Sequence, residues 1–322
     1  MSREASKMVC VARVCTAEVD ISGRNLFWAE MPPPAMRASI KSVGQLEPVS
    51  ARFHDGRWHV ISGYKRVYAL KEVGAAILVV EVPGPPDPLT DGLLYLHANT
   101  HRVLNDGLRL RALRYFQTWM EPMELTQRIA PLLDLEPRSG AWRRLTAWLD
   151  LPVDWDAMLC AGHLPLVVGP VLSGFDQADL IALEPYFREL KWSHSRAVQW
   201  LTFLIESSQR ERVGLGKLLE RSGMATTLAG NLSPQDKLRR LFAQARTLRY
   251  PALANLEQRF DSLRKELVGS SRWEMIPSEG FETDLVELRL RARNPSDIRA
   301  AARSLDRIAA LECLPELFSI SR

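Results

Sequence analysis

The chain has 322 residues, enough for two or three domains, since a single core rarely keeps growing beyond about 250–300 residues. A hydrophobic share of 46% and a charged share of 25% describe an ordinary folded protein, and no window approaches the roughly 18–20 apolar residues of a membrane span. The net charge is only +4, but 34 of the 42 basic residues are arginine; the guanidinium fork suits phosphate and guanine edges, and a GC-rich codon usage gives the same bias.

Residues 1–35 lack a sustained period and end in Met31-Pro32-Pro33-Pro34, which reads as a loop or stiff lead-in. Met36, Ile40 and Val43 then fall at helical spacing over residues 35–43, with Gly44 as the stop. Residues 49–53 and 58–61 read as the strands of a hairpin around Asp55-Gly56. A helix over 65–73 ends at Gly74, and 76–82 reads as a buried strand. Gly84-Pro85-Pro86-Asp87-Pro88 punctuates the chain, so a compact α/β unit is expected to close near residue 100.

Beyond Asn105 the pattern turns helical. Leu108, Ala112, Phe116 and Trp119 share a face, and short helices over 125–133 and 139–149 flank the turn Asp134-Leu135-Glu136-Pro137. Further helices are expected over 155–161, 164–172, 177–190, 195–207 and 213–221. Leu253, Leu256, Phe260, Leu263 and Leu267 mark an amphipathic helix over 248–267, a candidate self-association face. Strands over 273–276 and 285–292 follow, and Pro295-Ser296-Asp297 starts a last helix carrying Ile298, Ala301, Leu305, Ile308 and Leu311.

Two stretches carry chemistry. In Val60-Ile61-Ser62-Gly63-Tyr64-Lys65-Arg66 a strand runs into a glycine that opens a helix. A helix N-terminus offers unpaired N–H groups to an anion, and Lys65 and Arg66 beside it would neutralise a di- or triphosphate. On spacing alone, two solvated cations are the ordinary alternative. In the second stretch, Leu125-Thr126-Gln127-Arg128-Ile129-Ala130 and Arg138-Ser139-Gly140-Ala141-Trp142-Arg143-Arg144-Leu145 make two short helices across a tight turn, the skeleton of a helix-turn-helix. Arg138, Ser139, Arg143 and Arg144 lie near the start of its second helix, where side chains reach base edges or phosphates; a plain helical pair with solvated arginines is the alternative.

In chain order, Ser39-Ile40, Gly44-Gln45-Leu46-Glu47-Pro48-Val49, the Asp-Gly hairpin, Ile61-Ser62-Gly63-Tyr64-Lys65-Arg66 and Gly74 resemble the N-terminal domain of the ParB partition-protein family. Ala98-Asn99-Thr100-His101-Arg102 is similar to that family's E-N-x-x-R motif. The L-T-Q opening of the helix-turn-helix, Leu149-Asp150-Leu151-Pro152 and Ala161-Gly162-His163-Leu164 stand at matching places. The resemblance covers residues 35–175; beyond them only the helix–strand–strand–helix order is similar to the family's dimerisation domain.

The resemblance implies a cytoplasmic, nucleoid-associated homodimer that binds DNA, takes CTP with magnesium, closes as a clamp and works with a partner ATPase of the ParA type. By the same resemblance Gly63, Lys65, Arg66, Asn99 and Arg102 would hold the nucleotide, and Arg138, Ser139, Arg143 and Arg144 the DNA. The departures are Tyr64 and Ala98, where the family has glutamates, and Pro131 inside the first helix of the pair. Magnesium takes hard oxygen ligands, so losing both carboxylates counts against hydrolysis while phosphate contacts survive.

The fold expected is α+β: a ParB/sulfiredoxin-like α/β domain, a central all-helical domain with the helix-turn-helix, and a small C-terminal α/β domain. The divisions are an extension over 1–34, then domains over 35–104, 105–230 and 231–322. The function expected is DNA binding, in chromosome or plasmid partitioning or in a transcription regulator on that scaffold. The alternatives are a nucleotide-binding switch or weak CTPase acting through protein partners, and an adaptor. No catalytic residue, metal site, membrane contact or secretory signal is expected: Cys10, Cys15, Cys160 and Cys313 are scattered, His54, His59 and His97 match no metal spacing, the first 30 residues carry charges and no long apolar core, and no Walker loop or nucleophile elbow occurs.

Overall fold

The hairpin at Asp55-Gly56 organises the first part of the chain. In the computed structural model, which describes residues 11–269 and 271–320, Asp55 (φ 49°) and Gly56 (φ 75°) both adopt the left-handed conformation that a two-residue hairpin turn requires. Elements run β1 (Val11–Val14), β2 (Val19–Asp20), α1 (Pro34–Val43), β3 (Val49–His54), β4 (Arg57–Ser62), α2 (Tyr64–Glu72), β5 (Ile77–Glu81) and α3 (Pro88–His97). The five strands form one mixed sheet in the order β1-β5-β3-β4-β2. β5 lies parallel to β3 and β2 parallel to β4, while the other pairs are antiparallel. α2 packs on β3 and on α1, and α3 packs on β4. Val49, Ala51, Val60, Ile61, Ile77 and Val79 are buried in the three inner strands, as are Val14 and Val19 at the edges.

Two expectations are corrected here. The segment before residue 35 is not all loop, because β1 pairs with β5 and β2 with β4, closing both edges of the sheet. Between β2 and α1, Phe27 and Trp28 enter an aromatic cluster with Tyr95, Tyr115 and Phe116, and the Trp28 indole donates to the Leu108 carbonyl at 2.7 Å. The Gly-Pro punctuation, in turn, leads directly into α3. Pro88 occupies the first turn, where its missing N–H does no harm, and the Asp87 carboxylate caps the helix by accepting from the Thr90 N–H. Gly92 survives inside α3 because the Tyr115 ring fills the place of a side chain, 2.2 Å from where a Cβ would stand.

Helices follow: α4 (Asp106–Phe116), α5 (Pro122–Arg128), α6 (Gly140–Ala147), α7 (Asp156–Cys160), α8 (Gly169–Leu172) and α9 (Gln177–Glu189). The helix expected over 125–133 ends at Arg128, and Pro131, which has no N–H to continue it, starts a separate 3-10 turn, Pro131–Leu133. Leu110, Leu113, Phe116, Ile129, Leu133 and Trp148 form the buried centre of these helices.

Two arginines, Arg52 buried and Arg114 largely so, are each held by several acceptors. The Arg52 guanidinium, in a side chain 4% exposed, donates to the carbonyls of Val82, Pro83 and Gly84 and to Asp91 Oδ1 at 2.7 Å. Arg114 donates to the carbonyls of Trp148, Leu149 and Leu151 and grips both carboxylate oxygens of Asp156, at 2.9 and 3.0 Å.

Packing divides the chain into two units, Met1–Ala197 and Val198–Arg322. The division falls in α10 (His194–Glu211), and α11 (Leu215–Arg221), α12 (Met224–Ala229), α13 (Pro234–Arg249) and α14 (Pro251–Val268) follow. The helix expected over 248–267 starts later, at Pro251, because Tyr250 leaves the helical conformation (φ −123°, ψ 63°) and separates it from α13. β6 (Trp273–Pro277) and β7 (Val286–Leu290) form an antiparallel pair that sets Met275 opposite Leu288, and α15 (Pro295–Ala309) and α16 (Leu314–Leu317) complete the second unit. Trp200, Leu204, Leu218, Met224 and Leu241 are buried among its helices, and Phe260, Leu267, Met275, Ile308, Leu317 and Ile320 make a second small core around β6 and β7. Of the expected apolar stripe on α15, Ala301 and Ile308 are buried while Ile298 is exposed. The architecture is mixed α+β with a small sheet. Among the described residues no helix is long and apolar enough to cross a membrane.

Candidate functional site

Gly63 joins β4 to α2 in a left-handed conformation (φ 101°), and its carbonyl accepts from the Arg66 and Val67 N–H groups of the first helical turn. A Cβ here would lie 2.6 Å from Val49 Cγ1, so the sheet itself presses against the backbone at this point. Packing and conformation therefore both dictate glycine. Gly63→Ala is expected to destabilise the first unit by about 1–3 kcal/mol in chemical denaturation; unchanged stability would show that the β4–α2 junction can shift away from Val49.

A cleft of about 360 Å³ opens at this helix start. All five residues expected to hold nucleotide, Gly63, Lys65, Arg66, Asn99 and Arg102, line it. So do Trp28 and Glu30 from the segment before α1, and Tyr95, Ala98 and His101 from the end of α3 and the turn after it. The topology brings them together because α2 starts at the end of β4, which α3 packs against.

The cations are held in a graded way. Lys65 Nζ lies 3.1 Å from Glu30 Oε2, and Arg102 Nη1 lies 3.6 Å from the same oxygen. Arg102 also donates to the Trp28 carbonyl at 3.4 Å and stacks over the Trp28 ring, 5.6 Å from its centroid. Arg66 pairs with Glu47 and reaches the Pro48 carbonyl. The Asn99 side chain donates its amide to the Tyr95 carbonyl at 2.8 Å, which fixes the turn after α3. Burial pushes the Tyr95 phenol up to about 12 against the pull of Arg102, so it stays neutral at any ordinary pH. Tyr64 and Ala98, standing where glutamates were expected by resemblance, both line the cleft. Glu30 is its one carboxylate among the described lining residues. Sequence reasoning missed Glu30, which belongs to no motif; the three prolines after it were the only sign that its backbone is held.

The residues expected to meet DNA lie just before and along α6. Arg138 adopts a left-handed φ of 63° before the helix, while in this two-turn helix Arg143 lies midway and Arg144 in the last turn, both exposed, further along it than expected. None of the three makes an ion pair among the described residues, whereas neighbouring Arg109, Arg114 and Arg128 each have a carboxylate. Ser139 has a structural task as the N-cap, its hydroxyl accepting from the Trp142 N–H at 3.2 Å. The Trp142 indole donates to Thr126 Oγ1 at 3.2 Å and so ties α6 to α5. A groove beside them is lined by Pro122, Leu125, Thr126, Trp142, Arg143 and Thr146 among others. Among the described residues no group of three His, Cys, Asp or Glu side chains is placed to hold a metal.

No protein-family profile matches the chain, and no curated protein does. Solved structures do match. The C-terminally truncated chromosome-partitioning protein ParB from Caulobacter crescentus, complexed to the centromeric parS site, shares 14% identity over 55% of this chain and 92% of its own, with a TM-score of 0.35. This chain resembles ParB. The same Caulobacter protein complexed with CTP-γ-S gives 17% identity over 55% of this chain and 98% of its own, with a TM-score of 0.25.

Proposed function

We propose that the chain is a ParB-like DNA-binding protein, of chromosome or plasmid partitioning or of transcription regulation, acting as a homodimer. The first domain takes in β1 and β2 with its sheet and runs to residue 104, and domains over 105–230 and 231–322 follow, with α5 and α6 as the helix-turn-helix and the small C-terminal α/β domain joining the protomers. The observation that carries this reading is that Arg138, Arg143 and Arg144, just before and along α6, are exposed and without carboxylate partners among the described residues. A short helix aimed by its N-terminal turn into the major groove uses such side chains on guanine edges or phosphates. Two such helices in a symmetric dimer read a palindromic site.

The test is to recover and sequence genomic DNA bound by the purified protein at two salt concentrations. One palindromic motif that survives the higher salt supports sequence-specific recognition; diffuse binding lost with salt means phosphate contacts alone and overturns it. Arg143→Ala or Arg144→Ala is expected to weaken binding to the enriched site by about 1–3 kcal/mol if the residue reads a base, measured by fluorescence anisotropy. Unchanged affinity in both would remove α6 as the reading helix.

The cleft favours a second, compatible reading, in which a nucleoside triphosphate such as CTP switches the protein between states. Lys65, Arg66, Arg102 and the exposed N–H groups at the start of α2 suit phosphate oxygens. The residues present fit the phosphates and not the metal: the one lining carboxylate, Glu30, is already tied to Lys65 and Arg102. Binding without hydrolysis is therefore the activity proposed here. Calorimetry with CTP, with and without magnesium, checks it, and no heat in either case would leave DNA and protein partners as the only ligands.

A further inference from the structure

Glu30 lines the cleft from a segment that the resemblance does not cover. Its Oε2 lies between Lys65 Nζ and Arg102 Nη1, two of the cations to which the nucleotide reading assigns phosphate contacts. The backbone that carries it is held at both ends. Trp28, 1% exposed, is pinned through its indole to the Leu108 carbonyl, and Pro33 caps α1 with Pro34 in the first turn. The carboxylate is nonetheless half open to solvent, so it can swing out without uncovering a core.

We propose that Glu30 is a built-in counter-anion that occupies a phosphate position in the cleft and sets which anions enter. The inference rests on the nucleotide reading of the same cleft and adds a specificity-determining residue to it. A single phosphate such as orthophosphate exchanges one carboxylate for one phosphate across the same two cations and gains little. A triphosphate brings several charges, displaces Glu30 and still reaches Arg66 and the N–H groups of α2, so the exchange is favourable. The plainer role for Glu30 is a surface ion pair that ties the segment before α1 to Arg102, and such pairs contribute little.

The two roles differ in what removing the charge does to anion binding. The probes are inorganic tripolyphosphate and orthophosphate, titrated without metal into the full chain by calorimetry. The wild type is expected to bind tripolyphosphate and not orthophosphate. E30Q keeps the shape and a hydrogen-bonding amide, and should bind tripolyphosphate about tenfold more tightly and orthophosphate measurably. R102A should lose tripolyphosphate. If R102A loses binding while E30Q binds as the wild type does, or more weakly, the counter-anion role is overturned and the nucleotide cleft stands. If neither the wild type nor E30Q binds tripolyphosphate, both fall. E30D replaces E30Q if the latter loses its circular dichroism spectrum. Its shorter side chain draws the charge away from both cations, so it too should bind more tightly; equal or weaker binding would again overturn the role.

Discussion

Arg114→Ala is expected to lower the stability of the first unit by about 3–5 kcal/mol, the loss typical of a buried ion pair deprived of one partner. Arg114 and Asp156 are both largely buried, and the guanidinium also satisfies three carbonyls, of Trp148, Leu149 and Leu151, around the end of α6. Alanine leaves those acceptors and a carboxylate without their donor. Burial pushes the Asp156 carboxyl up, the hydrogen bonds and charge of Arg114 pull it back, and the balance stays above the ordinary 3.8. A folded-state value above the unfolded one means that folding holds the proton more tightly. The contribution of this group therefore favours folding at low pH and is lost as pH rises from 3.8 through the folded value. Without Arg114 the upward push grows, so the deficit of the variant should be largest at neutral pH and shrink on acidification. Denaturant titrations at two pH values, followed by tryptophan fluorescence, measure this. An equal deficit at both would mean that the carbonyls, not the carboxylate, account for the loss.

Arg52→Met should cost a similar amount, about 3–5 kcal/mol, and should act more locally. Methionine fills much of the space but leaves Asp91 unpaired and the Val82, Pro83 and Gly84 carbonyls without a donor. Arg52 connects β3 to the loop after β5 and to the first turn of α3. Limited proteolysis should therefore cut the variant first between Val82 and Asp87, at protease levels that spare the wild type. Resistance equal to that of the wild type would show that α3 is held by its contacts with β4 alone.

Neither arginine could be picked out from the sequence, and the reason lies in the sheet. Alternation along Val49-Ser50-Ala51-Arg52-Phe53 favours Phe53 as the inward residue. The register between β3 and β4 instead shifts at Ser50/Ala51, leaving Ala51 and Arg52 both buried and Phe53 half exposed. The hairpin was legible because Asp55-Gly56 is a local signal, and the opening of α2 because a glycine there needs its positive φ. β1 and β2 were not legible: four and two residues long, they become strands only through partners far along the chain. α13 was missed, and α14 was started too early, because Leu248 continues the leucine spacing across the break at Tyr250. The candidate site shows the same divide. Its five expected residues lie in motifs and converge on one cleft, whereas Glu30, contributed by a segment with no motif, becomes visible only once Trp28 is anchored to α4.

That anchor also bears on the order in which the chain can assemble as it leaves the ribosome. β1 has no partner until β5 has emerged, and Trp28 finds neither its carbonyl acceptor nor the rings of Tyr115 and Phe116 until α4 has been made. β1 and Trp28 are thus made before the hairpin of β3 and β4, yet sealed after it. In the interval their apolar side chains are exposed, and a nascent chain stalled before Leu108 would present Phe27 and Trp28 to chaperones rather than to its own core.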